Sequence, residues 1–178
     1  RAALASLFRS GDIAAVGYSS VQSFLQAAPA DAPGCLVLDV RLPGMSGLDF
    51  QEKLAEHHIH VPVILMSGHG DVPMTVRGMK AGAVDFLCKP FRDQELLDIV
   101  FKAIEKDVAR RAEQVGLDDL MHRHATLTGR EQQVMAHVVV GRLNKQIADD
   151  LGLSEITVKI HRGAAMRKMG ARTLPDLV

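Results

Sequence analysis

An α/β doubly wound parallel sheet followed by a small all-helical domain is the fold class that this 178-residue chain predicts. Three observations carry it. Short apolar runs at 35–38, 63–66 and 84–88 are closed by turn formers and separated by stretches of helical periodicity, the alternation that builds parallel βαβ units. Each run hands over to a polar side chain, Asp39, Ser67 or Lys89, at the strand end where open α/β sheets bind ligands. From Thr126 onward only helical patterns remain, with glycines between them.

Composition sets limits. At 47% hydrophobic the chain can build cores, and with no Trp and 4% aromatic residues those cores are aliphatic. No apolar run approaches the ~20 residues of a membrane span. No signal peptide is visible. Cys35 and Cys88 fall in or beside apolar strands and read as core thiols in a reducing cytoplasm. Zero net charge hides an asymmetry. Residues 1–124 carry 13 Lys/Arg and 16 Asp/Glu, net −3, while 125–178 carry 8 and 5, net +3. That sign suits a nucleic-acid partner for the C-terminal part.

In order along the chain, residues 1–10 place Leu4, Leu7 and Phe8 at helical spacing before Gly11. Ile13–Tyr18 is a strand candidate, and Val21–Ala27 a short helix with Val21, Phe24 and Leu25 inward. Cys35–Asp39 predicts a central strand buried on both faces, with Asp39 at its carboxyl end. A Pro- and Gly-rich loop leads to a helix over Gly47–His57 with Leu48, Phe50 and Leu54 on its apolar side. Val61–Met66 is a strand, Pro73–Ala81 a helix, and Gly82 turns the chain into the strand at 84–88.

A long helix starts near Asp93. Leu97, Phe101, Ile104, Val108 and Val115 recur in alternating steps of four and three, with Arg111 in the remaining slot. That is coiled-coil spacing over about three heptads. Residues 93–104 should pack on the sheet and 105–120 project as a linker able to pair, with Gly116 weakening the case for one unbroken helix.

If the strands are parallel, a carboxylate, a hydroxyl and an ammonium meet at one edge. Asp39 would supply a nucleophilic or metal-binding oxygen, Lys89 a compact cation and Ser67 a donor to the same anion. Together they suit a phosphoryl group held on Asp39. Read from its own segment, Asp39 fits equally well as a cap of the following loop or helix. His57, His58 and His60, and likewise His122 and His124, have no Cys partner or closing pair and read as solvated side chains rather than a zinc site.

In the C-terminal part, Thr128-Gly129-Arg130-Glu131 is a capping box opening a helix to about Val140. Asn144–Leu151 and a helix capped by Ser154 and running to Met169 follow, closed by Gly152 and Gly170. The last two have helix-turn-helix spacing, with Ala148 small at the crossing and Val158 as buried anchor. At 100° per residue, Val158, Ala165 and Met169 share one side, while Lys159, Ile160, Gly163 and Arg167 share the other. A major groove accepts such a face, with Lys and Arg reading guanine or phosphate and Ile meeting a thymine methyl. Thr157 and Lys145 are better placed for phosphates.

Leu38-Asp39, the 43–47 loop, Ser67-Gly68-His69-Gly70-Asp71 and Lys89-Pro90-Phe91 resemble the receiver domain of a two-component response regulator. Leu127-Thr128-Gly129-Arg130-Glu131, Asn144-Lys145-Gln146-Ile147-Ala148 and Thr157-Val158-Lys159-Ile160-His161-Arg162 resemble a LuxR/FixJ-type output domain. The resemblance implies a flavodoxin-like receiver over 1–104, a helical linker over 105–125 and a helix-turn-helix domain over 126–178. It implies that Asp39 accepts a phosphoryl group from a sensor histidine kinase with Mg²⁺ bound by an Asp39 oxygen and the Arg41 backbone carbonyl. Phe86 is then the aromatic that moves inward with Ser67, His69 tunes phosphoryl lifetime, and the Lys89–Pro90 bond is cis.

The family's first strand and its acidic pair have no counterpart here, so the polypeptide is expected to extend upstream of Arg1. Residues 173–178 look like the opening of a fourth output helix. The expected partners are duplex DNA with a two-fold operator, the kinase, a second copy of the chain when active, and RNA polymerase, all in the cytoplasm and away from membrane. One rival is a phosphorylation-independent DNA binder with a degenerate receiver. A hydrolase is disfavoured, because the chain is too short for a lid or substrate pocket, and no enzyme activity is expected beyond hydrolysis of its own aspartyl phosphate.

Overall fold

The computed structural model describes residues 2–27, 32–42, 44–57 and 59–177. Arg1, Pro43, His58 and Val178, each part of an expectation above, lie outside them. The chain divides into two compact units, Arg1–Arg111 and Ala112–Val178.

The first unit is built on three parallel strands in the order β1 (Leu36–Asp39), β2 (Val63–Ser67), β3 (Asp85–Cys88). β2 is buried at all five positions, having a strand on either side and a layer of side chains on either face. Alternation splits those side chains. Val63 and Leu65 join Phe24, Leu38, Leu48 and Phe50 on one face, and Ile64 and Met66 join Phe8, Leu87, Leu96 and Val100 on the other.

The expected central strand at 35–39 is corrected. Among the described residues β1 is an edge strand, and of its four residues Leu38 alone is fully buried. Ile13–Tyr18, expected as a strand, joins no ladder, and Val16 is 77% exposed. A strand needs a neighbour to take its N–H and C=O groups. With none among the described residues, this stretch stays irregular.

Helices cover both faces. α1 (Ala2–Ser10) and α5 (Asp93–Ala125) contribute Phe8 and Leu96 to one layer. α2 (Val21–Ala27), α3 (Gly47–Lys53) and its 3-10 continuation (Leu54–His57) contribute Phe24, Phe50 and Leu54 to the other. α4 (Val72–Lys80) is capped by Asp71, whose Oδ1 accepts from the Met74 N–H at 2.8 Å. It is clamped to α3 by Arg77, which donates to Asp49 at 2.7 Å and Glu52 at 2.8 Å.

α5 runs 33 residues without a break, Gly116 included. One interior glycine costs about 1 kcal/mol, too little to interrupt so long a helix. Its buried stripe is Leu96, Val100, Ala103 and Asp107, one residue from the expected stripe. Leu97 and Ile104 flank the core, whereas Phe101, Val108 and Val115 are exposed. Two adjacent stripes are apolar at helical spacing here, and the acid at Asp107 disguised the inward one.

The second unit packs α6 (Gly129–Val139), α7 (Asn144–Leu151) and α8 (Glu155–Met169) around Val134, Val138, Ile147, Ala148 and Val158. Thr128 and Glu131 form a reciprocal capping box, and Ser154 Oγ accepts from the Thr157 N–H at 3.1 Å. Gly152 ends α7 at φ 63°, a left-handed turn that favours glycine. Residues 173–177 make a turn with the bonds of a helix start, the Asp176 and Leu177 N–H groups donating to the Thr173 and Leu174 carbonyls at 3.2 and 3.0 Å. They turn over Asp176, whose Oδ2 accepts from the Arg172 and Thr173 N–H groups, while Leu174 and Leu177 pack on the core.

Candidate functional site

Parallel strands bring their carboxyl ends to one edge. Asp39 pairs in register with Met66, one residue before Ser67, and Ser67 pairs with Cys88, one residue before Lys89. The three polar groups therefore follow three neighbouring strand ends. Lys89 Nζ donates to Asp39 Oδ2 at 2.5 Å, and the Arg41 N–H donates to Asp39 Oδ1 at 2.9 Å. The Lys89 side chain is 39% exposed and that of Asp39 33%, so the pair is open to a soluble partner. Ser67 is fully buried, its Oγ accepts from the His69 N–H at 3.1 Å, and its carbonyl accepts from the Lys89 N–H at 2.7 Å. The Lys89–Pro90 bond is cis.

The surroundings fix these positions through close backbone approach. A Cβ on Gly47, where α3 begins, would collide with the Asp39 carbonyl oxygen. Glycine is needed there for the helix to start against the strand end. A Cβ on Gly70 would lie 2.9 Å from the Phe86 ring, and one on Gly78 would meet the Leu65 side chain and lie 3.6 Å from the same ring. The half-buried Phe86 thus sits between the loop that follows Ser67 and helix α4. His69 is exposed beside that loop. The sequence alone did not single out Gly47; its signal was a glycine at a helix start, which is too common to be decisive.

For Mg²⁺, a hard cation that takes oxygen ligands in octahedral geometry, Asp39 offers one carboxylate, already shared with Lys89 and the Arg41 N–H. No group of three His, Cys, Asp or Glu among the described residues could hold a metal. By themselves these residues do not make a Mg²⁺ site.

In the second unit α8 turns Val158 and Ala165 inward, both essentially unexposed, and Arg162 donates to Asn144 of α7 at 3.0 Å. Lys159 and Arg167 are exposed on the outer side, Ile160 is 64% exposed, and Gly163 and Thr157 are partly covered. Lys145, in the first turn of α7, is exposed as well. Ile156 also lies on this outer side at 73% exposure, although it is not among the groove-facing residues that the sequence pattern predicts. The same 100° periodicity places it one turn before Ile160.

A parallel α/β domain with an acid–lysine pair at its strand ends, joined to a capped helix-turn-helix unit, defines a receiver coupled to a DNA reader. The chain belongs to the response regulators with a LuxR-type output domain. Residues 1–101 match the family described as response regulator receiver domain, and residues 125–178 match bacterial regulatory proteins of the luxR family. It is 56% identical over 178 residues to nodulation protein W of Bradyrhizobium diazoefficiens, covering all of this chain and 78% of that protein. It is 47% identical over 176 residues to response regulator protein TodT of Pseudomonas putida, covering 99% and 78%. The low-resolution structure of response regulator StyR matches with a TM-score of 0.86 at 43% identity, covering all of this chain and 90% of that one. The protein is thus a DNA-binding transcriptional response regulator. Among the described residues no helix is long and apolar enough to cross a membrane.

Proposed function

We propose that Asp39 is the phosphoacceptor that switches this regulator. The observation that carries the reading is the 2.5 Å contact between Lys89 Nζ and Asp39 Oδ2 at an exposed strand edge. An Asp39 carboxylate oxygen attacks the phosphorus of a kinase phosphohistidine. The P–O bond forms as the P–N bond breaks, and the imidazole leaves with its electron pair. Lys89 then transfers its charge-assisted hydrogen bond from the carboxylate to a phosphoryl oxygen. Ser67 turns its hydroxyl toward the same group, and the space it vacates admits Phe86, which adjoins α4. His69, exposed beside the site, governs water access and so the lifetime of the aspartyl phosphate before it hydrolyses. Asp39 and the Arg41 carbonyl would hold Mg²⁺ only together with further oxygen ligands, and the ion would there supply neutralisation of the phosphoryl charge.

On this reading residues 1–104 are the receiver, 105–125 the linker and 126–178 the reader. The reader's Lys159, Ile160, Gly163 and Arg167 face the major groove, and Lys145 and Thr157 face phosphates. A two-fold operator, a second copy of the chain in the active state, contact with RNA polymerase and a cytoplasmic location complete the reading. The test compares wild type with Asp39→Asn. Acetyl phosphate should produce a phosphorylated band and tighten operator binding in wild type and do neither in the variant. An Asp39→Asn protein that still responds to the phosphodonor overturns the assignment.

A further inference from the structure

The outer side of α8 carries two large apolar side chains that no core uses. Ile156 is 73% exposed and Ile160 64% exposed, four residues apart on one helix. Val158, between them in sequence, is fully buried and already anchors the helix. Neither isoleucine is therefore needed to hold α8 in place. Lys159 and Arg167 are exposed on the same side of α8, which begins at the exposed Glu155, and Lys145 is exposed on α7. The Arg167 guanidinium lies 3.5 Å from where a Cβ on Gly163 would stand, so it folds back over the glycine within the same face. An apolar pair sharing its helix side with exposed cations fits a polyanion that also presents methyl groups. In a major groove those are the C5-methyls of thymine. Ile156 lies in the first turn of α8, after the Ser154 cap, and the first turn of a recognition helix meets base edges in helix-turn-helix docking.

We propose that Ile156 and Ile160 form a methyl-reading pair that selects two thymines in each half-site, and that Ile156 is a specificity determinant alongside Ile160. Four residues advance about 6 Å along a helix, slightly less than two base steps of about 3.4 Å. The two thymine methyls therefore lie one or two base steps apart. The inference rests on the DNA-facing reading of α8 and adds to it which bases are read and by which side chains.

The test uses the full chain treated with acetyl phosphate and a random 24-base-pair duplex library. Enriched duplexes are then resynthesised with single thymine-to-uracil replacements, which remove one methyl and keep every hydrogen-bonding edge. Two uracil positions per half-site, one or two steps apart, should each weaken binding about fourfold. That corresponds to about 0.8 kcal/mol for one buried methyl-sized group, at about 1.4 kcal/mol per tenfold. Ile156→Ala should lose the uracil effect at one position and Ile160→Ala at the other. Both should keep wild-type helicity, melting and salt dependence, since no core contact or phosphate contact is removed. Enriched duplexes indifferent to uracil, or an Ile156→Ala protein that keeps both uracil effects, overturn the methyl pair and leave the DNA-facing reading standing. If no duplex is enriched over bulk DNA, the DNA-facing reading fails and the pair fails with it.

Discussion

Replacing Asp107 with Ala should destabilise the first unit by about 3 kcal/mol. Asp107 is 1% exposed on α5. Its Oδ2 accepts from the Gly34 N–H at 3.1 Å and from Arg111 Nε at 2.8 Å, and its Oδ1 accepts from Arg110 at 2.7 and 3.0 Å. The carboxylate therefore ties α5 to the turn that feeds β1, the strand that ends in Asp39. Both arginines are about one-third exposed and recover hydration when the acid is removed. The uncompensated losses are the bond to the half-buried Gly34 N–H, about 1 kcal/mol, and the buried space that the side chain filled, about 2 kcal/mol. Asp107→Asn keeps an acceptor and should cost about 1 kcal/mol. With a urea slope of about 1.5 kcal/mol per molar, the Ala variant should unfold about 2 M earlier. Burial works to raise the Asp107 pKa, but the hydrogen bonds from Arg111, Arg110 and the Gly34 N–H outweigh it and hold the carboxyl below its ordinary value. A lowered pKa contributes stability that is present above the ordinary carboxylate value near pH 4 and is lost as pH falls through the folded value. The acid limb of the stability curve should therefore be steeper in wild type than in Asp107→Ala. Equal urea midpoints for the two proteins, or identical acid limbs, would refute the reasoning.

Other consequences can be measured separately. Cys35 is pushed up to about 11 by burial and then by the charge of Asp107. In a Cys88→Ser background, Asp107→Ala should shift the alkylation pH profile of Cys35 downward. Gly47→Ala should cost about 3 kcal/mol, because its Cβ meets the Asp39 carbonyl, and should slow phosphorylation of the surviving folded protein. Thr128→Ala removes one side of the capping box and should lower output-unit stability by about 1 kcal/mol in urea. Lys159→Ala should reduce the slope of log affinity against log salt by about 1 if its ammonium neutralises one phosphate, with stability unchanged because the side chain is exposed.

What the sequence determined by itself is written in local terms. Apolar runs of strand length that end at Asp39, Ser67 and Lys89 specify parallel strands and the chemistry at their tips. Thr128, Ser154, Gly152 and Gly170 specify where the output helices start and stop, because caps are made by side chains within one turn. What tertiary structure decided depends on neighbours distant in the chain. Val63–Ser67, rather than the run ending at Asp39, is the fully buried strand, because among the described residues it is the one flanked by a strand on each side. Ile13–Tyr18 has the composition of a strand but no ladder partner among the described residues, so pairing rather than propensity settled it. The inward stripe of α5 contains Asp107, an acid that local pattern assigns to solvent. It is buried because two arginines on its own helix and a backbone N–H 73 residues away meet it there. Close packing at Gly47 and the exposure of Ile156 are likewise set by what other segments bring near, or leave uncovered, and a linear pattern does not carry that information.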